Sequence, residues 1–265
     1  MSIRVYRGPH RDSGGPTAGF RTIPWVFFAL GVLGTTLWPI FPLDRKDSLT
    51  FFIVFFLFVA TTAHAFIWWG MAWAATFMVV SLGISFSALA INSATGFIFG
   101  DINYTFRLGF QILYVPFVAP LIWSSAIYIG IVISRRISRA VAMSPLTAAF
   151  ATTGLLIAID ALFVKAGFHS WLTWIDKPAV LGLSPIKAQL VTFVIVLIIM
   201  LLSGQNSKND RYSTRMPILT YSWIFVFIIF CARFLADSFN NFLVAILVMA
   251  YIIVAFVYKT IKTIS

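Results

Sequence analysis

The chain has no glutamate, one cysteine and very little charge. Acidic residues number eight in 265, and all eight are Asp. The lone Cys231 excludes an intrachain disulfide, and no CxxC or HExxH spacing occurs, so no metal or haem centre is expected. Charged residues make up 10% of the chain, against roughly 25% in ordinary globular domains, which excludes a well-solvated soluble surface. What is present is apolar: 60% hydrophobic residues, with 28 Phe and 9 Trp. Such a chain is an integral membrane protein. Its net charge of +11 would suit nucleic acid in a soluble protein. In an apolar chain it reports orientation in a bilayer, so the expected partner is membrane lipid and not nucleic acid.

A helical span needs about 20 apolar residues to cross a core of about 30 Å. Charges and turn residues divide the chain into eight such stretches: Ile23–Pro42, Leu49–Phe66, Gly70–Asn92, Leu108–Ser134, Val141–Val164, Ser184–Ser203, Pro217–Ala236 and Asn240–Tyr258. The faintest break falls at Ile67-Trp68-Trp69-Gly70, where only belt aromatics and a glycine mark a turn. The predicted fold is therefore an all-α polytopic bundle of about eight transmembrane helices in the cell membrane. Residues 1–22 read as a flexible basic arm, 23–258 as a single helical domain and 259–265 as a short tail. The first span is too long for a signal-peptide core and lacks a small-residue cleavage site, so it is read as retained.

Orientation follows from the positive-inside rule. With both termini cytoplasmic, twelve of the nineteen Lys and Arg fall inside, including Arg135, Arg136, Arg139, Lys208 and Arg211. Seven fall outside, among them Arg45, Arg107, Lys187 and Arg233. Merging the second and third spans would place Arg135 and Lys208 on opposite sides and weaken the bias.

On this topology the polar residues gather in the outer half of the membrane. Asp160 is flanked by Leu155-Leu156-Ile157-Ala158-Ile159 and Ala161-Leu162-Phe163-Val164, and an ionisable group within a span marks a site by default. The alternative is an interfacial Asp160 bonded to water or to Arg107. Asp237 lies four residues beyond Arg233, so the two share a helix face as a structural ion pair or as part of a site. His64, among Thr61, Thr62 and Ala63, reads as a hydrogen-bonded packing residue. The segment Thr95–Thr105 carries Gly96, Gly100, Asp101, Asn103 and Tyr104 beside Asn92. Broken backbone at membrane depth is tolerated where it lines a cavity, so this segment is either re-entrant and cavity-lining or an ordinary loop.

Read onward, Thr95-Gly96, Phe99-Gly100, Tyr104-Thr105, Gly109, Val115-Pro116 and Pro120-Leu121-Ile122-Trp123 resemble, in order and spacing, the carotenoid biosynthesis membrane proteins that include carotenoid 1,2-hydratases of bacterioruberin-type pathways. Asp160, Gly167, Trp171 and Trp174 are similar to a second region of that family, and Gly182-Leu183-Ser184 to the start of its next span. The member is divergent. Leu89 stands where a glutamate is expected, Asn92 for a glycine, Val164-Lys165 for Asp-Pro and Lys187 for an asparagine.

The resemblance implies a cofactor-independent, lyase-type hydratase acting on a lipophilic polyene or isoprenoid end group, working beside other carotenoid-pathway enzymes. Hydrating a C=C bond requires an acid, a bound water, and groups that stabilise a tertiary carbocation. Asp160 takes the acid role, its carboxyl held neutral by apolar surroundings. Asp101 follows as water-positioning base or second acid. Asn92, Asn103 and Tyr104 would hold the water, and Trp123, Trp171 and Trp174 would face the cation. A cyclase or isomerase sharing that cation, or a non-enzymatic transporter or assembly subunit, are the alternatives.

Overall fold

The computed structural model describes residues 18–42, 45–138, 143–171, 186–203, 213–234 and 239–264. Eight α-helices run through them: α1 (Ala18–Leu37), α2 (Lys46–Trp69), α3 (Met71–Thr95), α4 (Val118–Ile137), α5 (Met143–Lys165), α6 (Ile186–Leu202), α7 (Arg215–Phe234) and α8 (Phe239–Ile264). Six are long and apolar enough to cross a membrane, and α6 and α7 contain shorter apolar helices. The protein is an all-α polytopic membrane bundle.

The faint break at Gly70 is a real one. Its φ of +87° costs glycine little and any side chain much, so α2 ends there and α3 begins at the next residue. The fourth span starts later than hydropathy predicts, at Val118 instead of Leu108. Pro116 cannot donate within a preceding helix, and Pro120 fits the first turn of a new one. The apolar stretch before them folds instead as a two-residue hairpin, β2 (Gln111–Ile112) against β3 (Val115–Pro116), turned through Leu113 and Tyr114 at φ +51° and +62°.

Helices α4 and α5 form the centre. In α4 78% of the apolar window is buried and in α5 67%, against 22–39% in the other four long helices. Small residues allow this close approach: a Cβ on Gly130 would collide with Thr152, and Ala148, Ala151 and Ala158 are fully buried. Hydroxyls bond across the helix pairs, as Ser81 with Ser124 at 2.8 Å. His64 Nδ1 meets the Tyr128 hydroxyl at 2.6 Å, which makes it a packing residue between α2 and α4.

Short strands tie the connections together on one face. β1 (Ile102–Tyr104), after α3, pairs antiparallel with β4 (His169–Trp171), after α5, in the register Ile102↔Trp171, Asn103↔Ser170 and Tyr104↔His169. Arg107 holds the Asp47 carboxylate at the start of α2 through two hydrogen bonds, 2.8 and 3.1 Å, and donates to Ala166 O at 2.6 Å beyond α5. The α1–α2, α3–α4 and α5–α6 connections therefore share a face, as alternating spans require.

Candidate functional site

Behind the β1–β4 ribbon lies a cavity of about 100 Å³. Asp160 reaches it from the last turns of α5, and Trp123 from the start of α4. Its lid is the connection after α3, which supplies Phe99, Ile102 and Tyr104. His169 and Trp171 come from β4, and Gln189 and Thr192 from α6.

The Asp160 carboxyl is fixed at both oxygens. Trp171 Nε1–H donates to Oδ2 at 3.1 Å, and His169 Nε2 lies 2.7 Å from Oδ1. His169 is buried and its Nδ1 has no protein partner. An orphaned N–H costs more than an orphaned lone pair, so the ring proton belongs on Nε2, donated to Asp160. The flanking sequence suggests an apolar environment, and the fold replaces part of it with two convergent donors. Arg107, the alternative partner for Asp160, is engaged by Asp47 instead.

Tyr104 lines the cavity opposite, its ring 5.7 Å from that of His169. Burial raises the pKa of its phenol, and the carboxylate of Asp160 raises it further whenever that group is ionised, so the hydroxyl keeps its proton throughout the working range. Strand alternation sends its neighbour the other way: Asn103 is exposed, and Tyr104 and Ile102 are partly buried. Asp101 is also exposed and lies against Gly96, where a Cβ would meet its carboxylate. Neither Asp101 nor Asn103 lines the cavity, and among the described residues Asp160 is its one carboxylate. Trp123 stands at its wall, edge-on to Phe99 with ring centroids 5.8 Å apart. Trp174, Asp237 and the side chain of Arg233 lie outside the described residues.

Residues 49–254 match the family of carotenoid biosynthesis proteins. The chain belongs to that family. The match runs from α2 into α8 and takes in every residue of the cavity. Compared with curated proteins and with solved structures, the chain finds no significant match.

Three of the positions read as departures from the family pattern in this carotenoid biosynthesis protein, Leu89, Asn92 and Lys187, adjoin the site. Leu89 lines the cavity, so its α3 wall is apolar there. Lys187 reaches the other way, donating to Phe97 O at 2.6 Å and pinning the lid to α6. The sequence reading assigns His169 no role in the site. The available signal was its place nine residues after Asp160, just past the Gly167 turn.

Asn92 borders the cavity with its amide already engaged. Nδ2 donates to Gly100 O at 3.0 Å, and Phe99 N–H donates to Oδ1 at 2.7 Å. It therefore staples the lid to α3. Asn92→Ala leaves a buried N–H and C=O unpaired, a cost of about 1–3 kcal/mol. The expected result is a loosened lid, read as faster cysteine labelling at Phe99→Cys in the Asn92→Ala background than in the otherwise native chain.

Proposed function

We propose that this protein hydrates the terminal isoprenoid double bond of a carotenoid. Membership in the family gives carotenoid biosynthesis as the setting. The observation that carries the finer reading is one described carboxyl, Asp160, held by two N–H donors in a cavity walled mostly by aromatic and aliphatic side chains.

Protonated Asp160 delivers its proton to the less substituted carbon of the double bond, leaving a tertiary cation on its neighbour. The carboxylate so formed receives its new charge under the N–H groups of His169 and Trp171, which are in place before the charge appears. Trp123, Phe99 and Tyr104 line the cavity where the cation would stand, and aromatic faces attract cations. Water attacks that cation, and the proton it releases returns to Asp160. The neutral Tyr104 hydroxyl, Gln189 and Thr192 are the polar groups suited to hold that water. Atoms balance with H and OH added across C=C and nothing oxidised or reduced, so the reaction needs no cofactor. The substrate dissolves in the lipid around the bundle, in our reading that of the cell membrane, and passes from and to other enzymes of the pathway there.

Expression in a host that accumulates an acyclic carotenoid tests this directly. The expected result is conversion to a product heavier by one water, carrying a tertiary hydroxyl at the end group. A product of unchanged mass with a ring or a shifted double bond would replace hydration by cyclisation or isomerisation. An unchanged pigment would remove the enzymatic reading.

A further inference from the structure

A second cavity, also about 100 Å³, adjoins the first. The two share a partition formed by Ile122, Ile159 and Phe163. Ile159 immediately precedes Asp160, and Phe163 lies one turn beyond it on α5, so the reacting carboxyl and the partition are built on the same turns of helix.

The chemistry of the two chambers is opposite. The second chamber is bordered by hydroxyl and indole groups, but these are satisfied within the protein. Trp38 Nε1–H donates to Thr50 Oγ1 at 2.9 Å and Trp223 Nε1–H to Thr35 Oγ1 at 2.7 Å. Ser125 and Thr220 donate to the carbonyls of Leu121 and Met216 four residues back in their own helices, at 2.8 and 2.9 Å. Among the described residues, no carboxylate, amide or imidazole side chain lines it. A cavity of this kind stays dry and takes an apolar guest. From Ile122 to Ile129 on α4 it extends about 10 Å along the helix axis, by the ordinary rise per residue.

We infer that this chamber is a second substrate subsite, which holds the hydrocarbon segment next to the reacting double bond. Ile122, Ile159 and Phe163 form the threshold that the chain crosses. This rests on the hydration reading for the end group, but the subsite itself is a claim about binding. A double bond placed beside Asp160 must continue as hydrocarbon on at least one side. The chamber across the threshold is the neighbouring space with neither water-binding groups nor charge. Its volume suits a short length of chain and not a whole polyene, so the remainder extends into lipid.

Binding of a full-length acyclic polyene and of a short acyclic terpenoid with the same end group, measured on the purified full chain in lipid nanodiscs, tests the subsite. Ala126→Leu fills the second chamber from α4 without touching the first, and Ile224→Phe fills it from α7. The expected result is at least tenfold weaker polyene binding in both variants, with the short terpenoid bound within twofold of the unsubstituted protein. Unchanged polyene binding in either folded variant overturns the subsite and leaves the hydration reading intact. Equal loss of both ligands in both variants also overturns it, because the effect is then general disruption. Tight, chamber-dependent polyene binding by a protein that converts neither ligand would instead overturn hydration and leave the subsite standing.

Discussion

Asp160→Asn is expected to leave the protein in the membrane and the carotenoid unhydrated. The substitution preserves size and one acceptor oxygen but removes the transferable proton. General acid catalysis is worth about 10²–10⁴-fold, and the cavity has no second described carboxylate to take over, so conversion should fall at least about 100-fold. The new NH₂ group meets either Trp171 Nε1–H or His169 Nε2–H, donor against donor. That costs about 1–3 kcal/mol and not the fold. The check is product analysis normalised to the protein recovered in the membrane fraction. Full activity in Asp160→Asn would dismiss it as the acid.

Substitution of His169 should be nearly as damaging, through Asp160. The imidazole does not need to touch substrate: it holds Oδ1 in place and supplies an N–H to the charge left when the proton departs. His169→Phe removes both and is expected to lower kcat by about 100-fold, the range seen when one preorganised donor is deleted. His169→Gln keeps an N–H of similar reach and should recover a measurable part of the loss. A purely packing role predicts the opposite order, since Phe fills the ring's volume better than Gln. Equal activity in the two variants, or better activity in His169→Phe, would reduce His169 to a packing residue between Phe163 and Trp171, whose rings lie 6.5 and 6.1 Å away.

Hydropathy alone was enough to read eight helices, including the break at Gly70, because each helix in lipid must present apolar surface over a fixed length and the breaks are chemical. It was misleading at 108–117, where an apolar run belongs to a hairpin. Apolarity reports the company of lipid or core, whereas Pro116 and the left-handed Leu113 and Tyr114 decide backbone shape. Asp160 stood out by the same logic, as a charge embedded in leucine, isoleucine and phenylalanine.

The company Asp160 keeps was not readable in that way. His169 and Trp171 reach it from a strand that pairs with residues 102–104, and that pairing joins segments separated by all of α4 and α5. A three-residue strand is too short to show a period of two, so composition could not say that Tyr104 points inward while Asn103 points out, or that Asp101 stays outside. Asn92 reads as a water ligand from its residue type, and what the sequence does not show is that each of its polar atoms has a partner on the lid.

The sequence by itself determined that this is a membrane protein, how many helices it forms, and which acid is most closely flanked by apolar residues, since these follow from local composition and the thickness of a bilayer. Only the tertiary structure decided that Asp160 faces His169 and Trp171, that among the described residues it is the one carboxyl in the cavity, and that an apolar chamber lies next to it. Those facts depend on contacts between residues distant in the chain, which packing selects and composition does not record.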